Sequence, residues 1–378
     1  MVVRRASMNI LQVIPELDAG GAERTTIEVA QAVVNAGGRC LVASRGGRLE
    51  ADLKAVGGEL VRLDMKTKNP LTIWRNAARL AAVIKAEGVD LVHARSRAPA
   101  WSAKWAAERT GKPFVTTYHG TYNAKTGLKR RYNAVMASGD RVIANSQFIA
   151  DHVRAEHGVG EDRLRVIPRG VDVARFDPIA VSPDRASAMR QSWGVRDSET
   201  LILLPGRLTE WKGQAFFIKV LEGLDRETIT LVCLGDAQGR LDYARHLGEE
   251  ARAIRLAFDM PGHEADMPAA YMAADLVVCP SLEPEAFGRT AAEALAMGKP
   301  VIAAAHGGAL EVLDPSVAGQ LTAPGDLGAW RVAVTEALSE DAAVREARGK
   351  AGRSRITSQF SAAALQEATL RVYRELLE

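Results

Sequence analysis

Short apolar runs separated by amphipathic stretches of helical period recur along the whole chain, with Gly or Pro at the joints, and this alternation most constrains the fold. The first half gives MNILQVIP, a helical pattern from Ala22 to Asn35, then RCLVAS, ELVRLD, VDLVHA, KPFVTTYH and DRVIANS. Strands of this length spaced by helices predict a doubly wound parallel sheet, since parallel strands need a crossover and the crossover helix covers the sheet face. The pattern restarts at Glu199 with TLILLPGR, TITLVCLGD, IRLAFDMP, DLVVCPS and KPVIAAA, so the chain reads as two α/β halves of the same design. A length of 378 residues, long for one core, supports that division. The Gly-, Pro- and Asp-rich stretch IPRGVDVARFDPIAVSPD reads as the linker and puts the boundary near residue 180.

Composition narrows the class. No apolar run approaches the ~18 residues of a membrane-spanning helix. The basic start MVVRRAS leads into a first strand without a small-residue cleavage site, so a cytoplasmic chain is expected. Cys40, Cys233 and Cys279 are odd in number and sit in apolar runs, which suits core thiols and neither a disulfide framework nor a zinc site. The net charge of +3 conceals an asymmetry: residues 1–175 hold 28 Lys+Arg against 17 Asp+Glu, a surplus of +11, and the remainder holds 21 against 29, or −8. A basic half suits nucleic acid, an anionic membrane surface or an acidic ligand.

Open α/β sheets bind ligands beyond the carboxyl ends of their strands. After the first strand, Gly20 and Gly21 precede a helix and form either a tight turn or an anion site at the helix N-terminus. The pattern is neither G-x-G-x-x-G nor a Walker loop, which removes the main support for a dehydrogenase or P-loop enzyme. In PGRLTEWKG, Arg207 ends a strand and Lys212 opens the next helix; the two are solvated cations or a diphosphate clamp. In EPEAFGRTAAEALAMG, Glu285 precedes a helix expected from Gly288 to Met297, with Gly298 as its stop, and Glu293 lies inside that helix. An ionised carboxylate there needs donors, and a ribose diol is a good one; a plain helix glutamate is the alternative. His93 and His119 both follow strands, and position does not separate them.

The E-x7-E spacing from Glu285 to Glu293 resembles that of the retaining glycosyltransferases of family 4. So do GGAER, YHG at 118–120, IPRGVD at 167–172, GRLTEWKG at 206–213 and AAYMAADLVVCPS at 269–281, in order along essentially the whole chain. The resemblance implies an α/β fold of two Rossmann-like domains facing across a cleft, the GT-B arrangement. Its domains would be residues 1–180, binding acceptor, and 181–355, binding nucleotide sugar, with a C-terminal helix in 356–378 packing back toward the first. It implies that Arg207 and Lys212 hold the donor diphosphate, with the backbone at Gly20 and Gly21. Glu293 would bind the ribose, Glu285 the donor sugar, and His119 the same sugar, leaving His93 structural. Donor contacts would extend over Ala286, Phe287, Gly288, Arg289 and Thr290, while Phe258, Met260, Pro261 and Gly262 border the base. Two positions depart from the family: Arg169 replaces the usual Asn before GVD, and EPEAFG, with the additional Glu283, replaces EGFG.

The expected activity is therefore metal-independent, retaining transfer of a hexose from a GDP- or UDP-linked donor to a hydroxyl of a glycolipid or glycan, with no cofactor. The motif forms look most like members that build lipopolysaccharide core or surface polysaccharide. The rivals are a nucleotide-sugar 2-epimerase on the same fold and a non-catalytic nucleotide-sugar or nucleic-acid binder. The basic residues lack the aromatic interleaving of a base-stacking surface, so nucleic acid is not expected as a partner. The surplus charge lies in MKTKNPLTIWRN (65–76), RSRAPAWSAKW (95–105) and KTGLKRRYNAV (125–135), each with apolar or aromatic anchors. These segments, with Lys129, Arg130 and Arg131 foremost, are expected to contact the acceptor or the anionic inner face of the cytoplasmic membrane.

Overall fold

The computed structural model describes residues 8–18, 20–122 and 126–378. The chain divides into two compact units. Unit 1 comprises residues up to Gly170 together with Ala362–Glu378, and unit 2 comprises Val171–Ser361.

Unit 1 is built on a seven-stranded sheet of β1 (Asn9–Val13), β2 (Arg39–Ser44), β3 (Glu59–Arg62), β4 (Leu91–Ala94), β5 (Phe114–Tyr118), β6 (Arg141–Ala144) and β7 (Leu164–Val166). The order is β3-β2-β1-β4-β5-β6-β7 and every pairing is parallel. Unit 2 repeats the design in six strands: β8 (Thr200–Pro205), β9 (Ile229–Leu234), β10 (Ala257–Asp259), β11 (Leu276–Cys279), β12 (Val301–Ala304) and β13 (Gln320–Thr322). Their order is β10-β9-β8-β11-β12-β13, again all parallel. Both sheets change direction of winding beside their first strand, at β1/β4 and at β8/β11, the switch point where such sheets open a crevice. The central strands are buried on both faces, which explains their continuous apolar runs. The short edge strands β7 and β13 give no such run and are not apparent in the sequence pattern.

The boundary falls at Gly170/Val171, about ten residues before the expected one. The stretch that reads as a linker contributes Val171, Phe176 and Val181 to the core of unit 2, while Ile167 is buried in that of unit 1. Apolar residues spaced by five match neither a helix nor a strand period, so the segment looks structureless in sequence. Val171 also donates to the Phe360 carbonyl and bridges Ser361, so both crossings of the chain leave unit 2 side by side.

The expected terminal segment 356–378 is divided. Residues up to Gln359 finish the helix Ala342–Gln359 of unit 2, and the helix Ala362–Leu377 packs within unit 1 against Gly21–Asn35. Its Tyr373 hydroxyl lies 2.6 Å from Nδ1 of His93, whose Nε2 lies 2.7 Å from the Thr117 hydroxyl. Burial, and then Arg95, hold the His93 imidazole well below the ordinary histidine range, so it is a neutral core group. Glu375 ties the same helix to the sheet through Arg141 and Arg165. Changing Tyr373→Phe leaves a buried ring nitrogen without its partner and is expected to lower the unfolding free energy by about 1–3 kcal/mol. Urea denaturation of the variant checks this, and an unchanged midpoint would contradict it.

Candidate functional site

In unit 2 the polar side chains gather at the carboxyl ends of β8, β11 and β12. After β8 the chain turns through Gly206 and Arg207 into a short 3-10 segment, Glu210–Lys212, that delivers Lys212 to the interior. The Lys212 Nζ donates to Glu285 Oε1 at 2.7 Å and lies 4.7 Å from the centre of the Trp211 ring. Ser281, just past β11, donates to the same oxygen at 2.5 Å. Burial opposes ionisation of Glu285, but the Lys212 ammonium, the Ser281 hydroxyl and His306 outweigh it, and the carboxylate is held below its ordinary range. His306, after β12, places Nε2 2.9 Å from the Ser281 carbonyl. A carbonyl only accepts, so that nitrogen carries the proton.

The loop bearing Glu285 is held by backbone contact. Gly308 N–H donates to the Glu285 carbonyl at 2.8 Å, and a Cβ on Gly308 would sit 2.3 Å from Phe287 Cα. Only glycine permits that approach. Gly288, in the left-handed region at φ 87°, then starts the helix Arg289–Ala296, close to the expected bounds. Inside it Glu293 accepts from Arg289 Nε at 2.8 Å and from the Tyr271 hydroxyl at 3.1 Å. Glu285 and Glu293 thus face different partners. Thr290 lies 3.5 Å from the Cys279 sulfur, and Phe287 is buried.

Arg207 is exposed, and its carbonyl accepts from the buried Gln214 amide at 3.0 Å. It does not join the Lys212–Glu285 cluster. Phe258 and Met260 pack partly buried against the unit 2 core where the chain leaves edge strand β10, followed by exposed Pro261 and by Gly262 at φ 86°. Those four residues are thus separated from the cluster by strand β9. Ser281, Trp211 and His306 were not among the sequence candidates; a histidine followed by two glycines at a strand end was the available signal for the last.

In unit 1, Gly20 caps the helix Gly21–Asn35 and is exposed, Gly21 is partly buried, and the end of a charged side chain lies close to each. A Cβ on Gly20 would meet the Glu23 carboxylate and one on Gly21 would meet Arg169 Nη1, each at 2.1 Å. Burial raises the Glu23 carboxyl above its ordinary range, against the opposing pull of its own backbone N–H and of Arg169. His119 follows β5, and its Nδ1 lies 3.3 Å from Arg169 Nη2.

The three basic segments meet in unit 1. Ser102 donates to the Ile73 carbonyl, Trp101 Nε1 to the Tyr132 carbonyl at 3.2 Å, and Arg97 to Asn133 at 3.1 Å. Leu71 and Trp74 are more than half exposed and Leu128 is 84% exposed. Trp74, Trp105, Glu108 and Arg109 line an open hollow of about 420 Å³. Lys129, Arg130 and Arg131 are exposed on the helix Gly127–Asn133, with Arg130 paired to Glu156 at 3.5 Å. Lys125 lies outside the described residues. Arg95 is a correction to the expected surface: it is interior, donating to the buried Gln12 side chain at 3.1 Å. It follows β4 directly, and the position after a buried strand explains its placement.

Two parallel sheets of Rossmann type, one in each unit, are the architecture of the GT-B fold. Residues 19–175 match the family model described as Glycosyltransferase Family 4, and residues 186–355 that described as Glycosyl transferases group 1. A D-inositol 3-phosphate glycosyltransferase of Xylanimonas cellulosilytica is 32% identical over 318 residues, spanning 78% of this chain and 75% of that one. The crystal structure of a glycosyltransferase from Rickettsia africae is 32% identical and covers 99% of both chains at a TM-score of 0.91. Anabaena HepE in complex with UDP-glucose is 26% identical, covering 98% of this chain and 100% of that one at a TM-score of 0.85. The chain belongs to glycosyltransferase family 4.

The Lys212–Glu285 pair carries a pH signature. Because the folded carboxyl titrates below the ordinary value of 4.5, its stabilisation is complete above that pH and is lost as pH falls through the folded value. Glu285→Gln should therefore melt below the parent above pH 4.5, with the gap closing in more acid solution. Calorimetry across that range checks it; a constant gap would contradict the assignment.

Proposed function

We propose that the chain transfers a hexose, with retention at the anomeric carbon, from a nucleoside-diphosphate sugar to a hydroxyl of a glycolipid or glycan acceptor in lipopolysaccharide or surface-polysaccharide synthesis. The observation that carries the reading is the largely buried Lys212–Glu285–Ser281 cluster at the β8/β11 switch point, where a preorganised cation meets a carboxylate. On donor binding, Lys212 exchanges part of its bond to Glu285 for a phosphate oxygen. Arg207, exposed at the end of β8, closes on the diphosphate as a planar fork. Glu285, so released, accepts from hydroxyls of the sugar, and Glu293, already oriented by Arg289 and Tyr271, accepts from the ribose. As the glycosidic bond breaks, negative charge grows on the departing diphosphate, and fixed cations stabilise it without reorganising. The likeness to HepE supports a UDP-linked donor.

This reading assigns the leaving-group charge to protein cations, so the reaction needs no metal. Lys212→Ala and Arg207→Ala should each cost ~3–4 kcal/mol in kcat, the scale of losing a well-placed donor to a developing anion. Glu293→Ala should chiefly raise the donor KM and Glu285→Ala chiefly lower kcat. Steady-state rates in excess EDTA, with UDP-, GDP- and ADP-sugars compared, test the set; a strict requirement for Mg²⁺ or Mn²⁺ would overturn it.

The acceptor side falls to unit 1, where exposed Leu71, Trp74 and Leu128 lie among basic residues. Such a surface suits the anionic face of a membrane carrying a lipid-linked acceptor, each Lys or Arg contributing on the order of 1 kcal/mol. A second reading, a small phosphorylated polyol as acceptor, is favoured by the name of the Xylanimonas relative. Cosedimentation with vesicles separates the two: the membrane reading predicts binding to anionic and not to neutral vesicles, reduced by Lys129, Arg130 and Arg131 changed together to Ser, with donor affinity retained. Equal binding to both, or to neither, would overturn it.

A further inference from the structure

Behind the Gly20–Gly21 turn, the parallel strands of unit 1 end on polar side chains. Arg95 follows β4, His119 follows β5, Asn145 follows β6, and Arg169 lies shortly beyond β7. With Thr117 they border a cavity of about 10 Å³, room for one water-sized group. Arg95 and Asn145 are each 2% exposed. The Nε2 of His119, the Nε of Arg95 and both amide atoms of Asn145 are buried without a protein hydrogen-bond partner among the described residues. Four such atoms at one cavity are a concentration that a packed interior does not tolerate unless a ligand, solvent or a moving group serves them.

The other nitrogen of His119 has a partner. Arg169 Nη2 lies 3.3 Å from Nδ1. A guanidinium donates and cannot accept, so Nδ1 must be the lone-pair nitrogen, and the proton of the neutral ring belongs on Nε2. The groups facing the ring discourage a second proton: burial first, then Arg169, Arg95 and His93, hold it well below the ordinary histidine range. The adjoining helix carries two carboxyls, Glu23, which feels the Arg169 charge, and the buried Glu28, which acts on Arg95.

We propose that Arg169 is a positioning residue that fixes the proton of the His119 imidazole on Nε2, so that His119 presents a hydrogen-bond donor to an oxygen entering this cavity and does not serve as a base. An Asn at 169 would carry an amide that accepts as readily as it donates and would leave the tautomer open. Arginine at 169 therefore commits the ring. The effect on turnover rests on the assignment of His119 to the donor sugar; the tautomer does not.

The experiment is nitrogen NMR of the full chain labelled at histidine, with the His119 signals identified by their loss in His119→Gln. The parent and Arg169→Lys, which keeps a donor, should show a single neutral form protonated at Nε2. Arg169→Asn should show mixed tautomers and a titration moved up toward the ordinary histidine range. Its kcat/KM at neutral pH should fall about 10-fold, as when a group loses its fixed orientation, and the deficit should narrow in acid, where the imidazolium again carries a proton on Nε2. A parent ring protonated at Nδ1, or an Arg169→Asn spectrum identical to the parent's, would overturn the proposal. Full activity in His119→Gln would instead remove His119 from the sugar site and leave the tautomer result standing.

Discussion

A parallel sheet covered by helices on both faces has one place for polar chemistry, the ends of its strands. Side chains along β8, β9, β11 and β12 are committed to the core, and the backbone is saturated by the ladder. The cluster in unit 2 accordingly comes from the segments that follow strands: Lys212 from the one after β8, Ser281 and Glu285 from the one after β11, and His306 from the one after β12. Unit 1 obeys the same rule with Arg95, His119, Asn145 and Arg169. The strand order then decides which ends are neighbours, which is how Lys212 and Glu285, far apart in sequence, become partners at adjacent β8 and β11.

The ion pair has a second consequence. A lysine and a glutamate removed together from water are costly unless each finds further donors or acceptors. Here Ser281 shares the carboxylate and Trp211 offers its ring to the ammonium, so the cluster is polarised before any ligand arrives. The same loop is pinned from behind by Gly307 and Gly308, which leaves the carboxylate little freedom to move. A site of this kind is stiff at its base and open at its rim, where Arg207 is exposed.

Much of this was legible in the sequence. The two-fold restart of the strand pattern and the helix after Gly288 follow from local signals, apolar runs and glycine stops, whereas Lys212, Glu285 and Glu293 read equally well as surface charges until the resemblance to family 4 singles them out. What was not legible depends on distance or on shortness. Ser281 and Tyr271 matter only through the carboxylates they serve, and nothing near them in sequence announces those contacts. Strands β7 and β13 are three residues long and carry no period. Val171, Phe176 and Val181 look like loop until the core they enter is known. Arg95 reads as a surface cation because its interior partner, Gln12, is eighty-three residues away.

The return of Ala362–Glu378 to unit 1 bears on how the protein is made. Residues up to Gly170 leave the ribosome first, yet His93 must wait for Tyr373 and the sheet edge for Glu375. Unit 2 is contiguous from Val171 to Ser361 and holds all its parts before the last helix exists. At the usual 5–20 residues per second, the first-made unit stands unfinished for roughly 10–40 s while the second is synthesised. The unit that begins first is therefore the last to close: all seven strands of its sheet are made early, and its core waits for the helix Ala362–Leu377 to cover it.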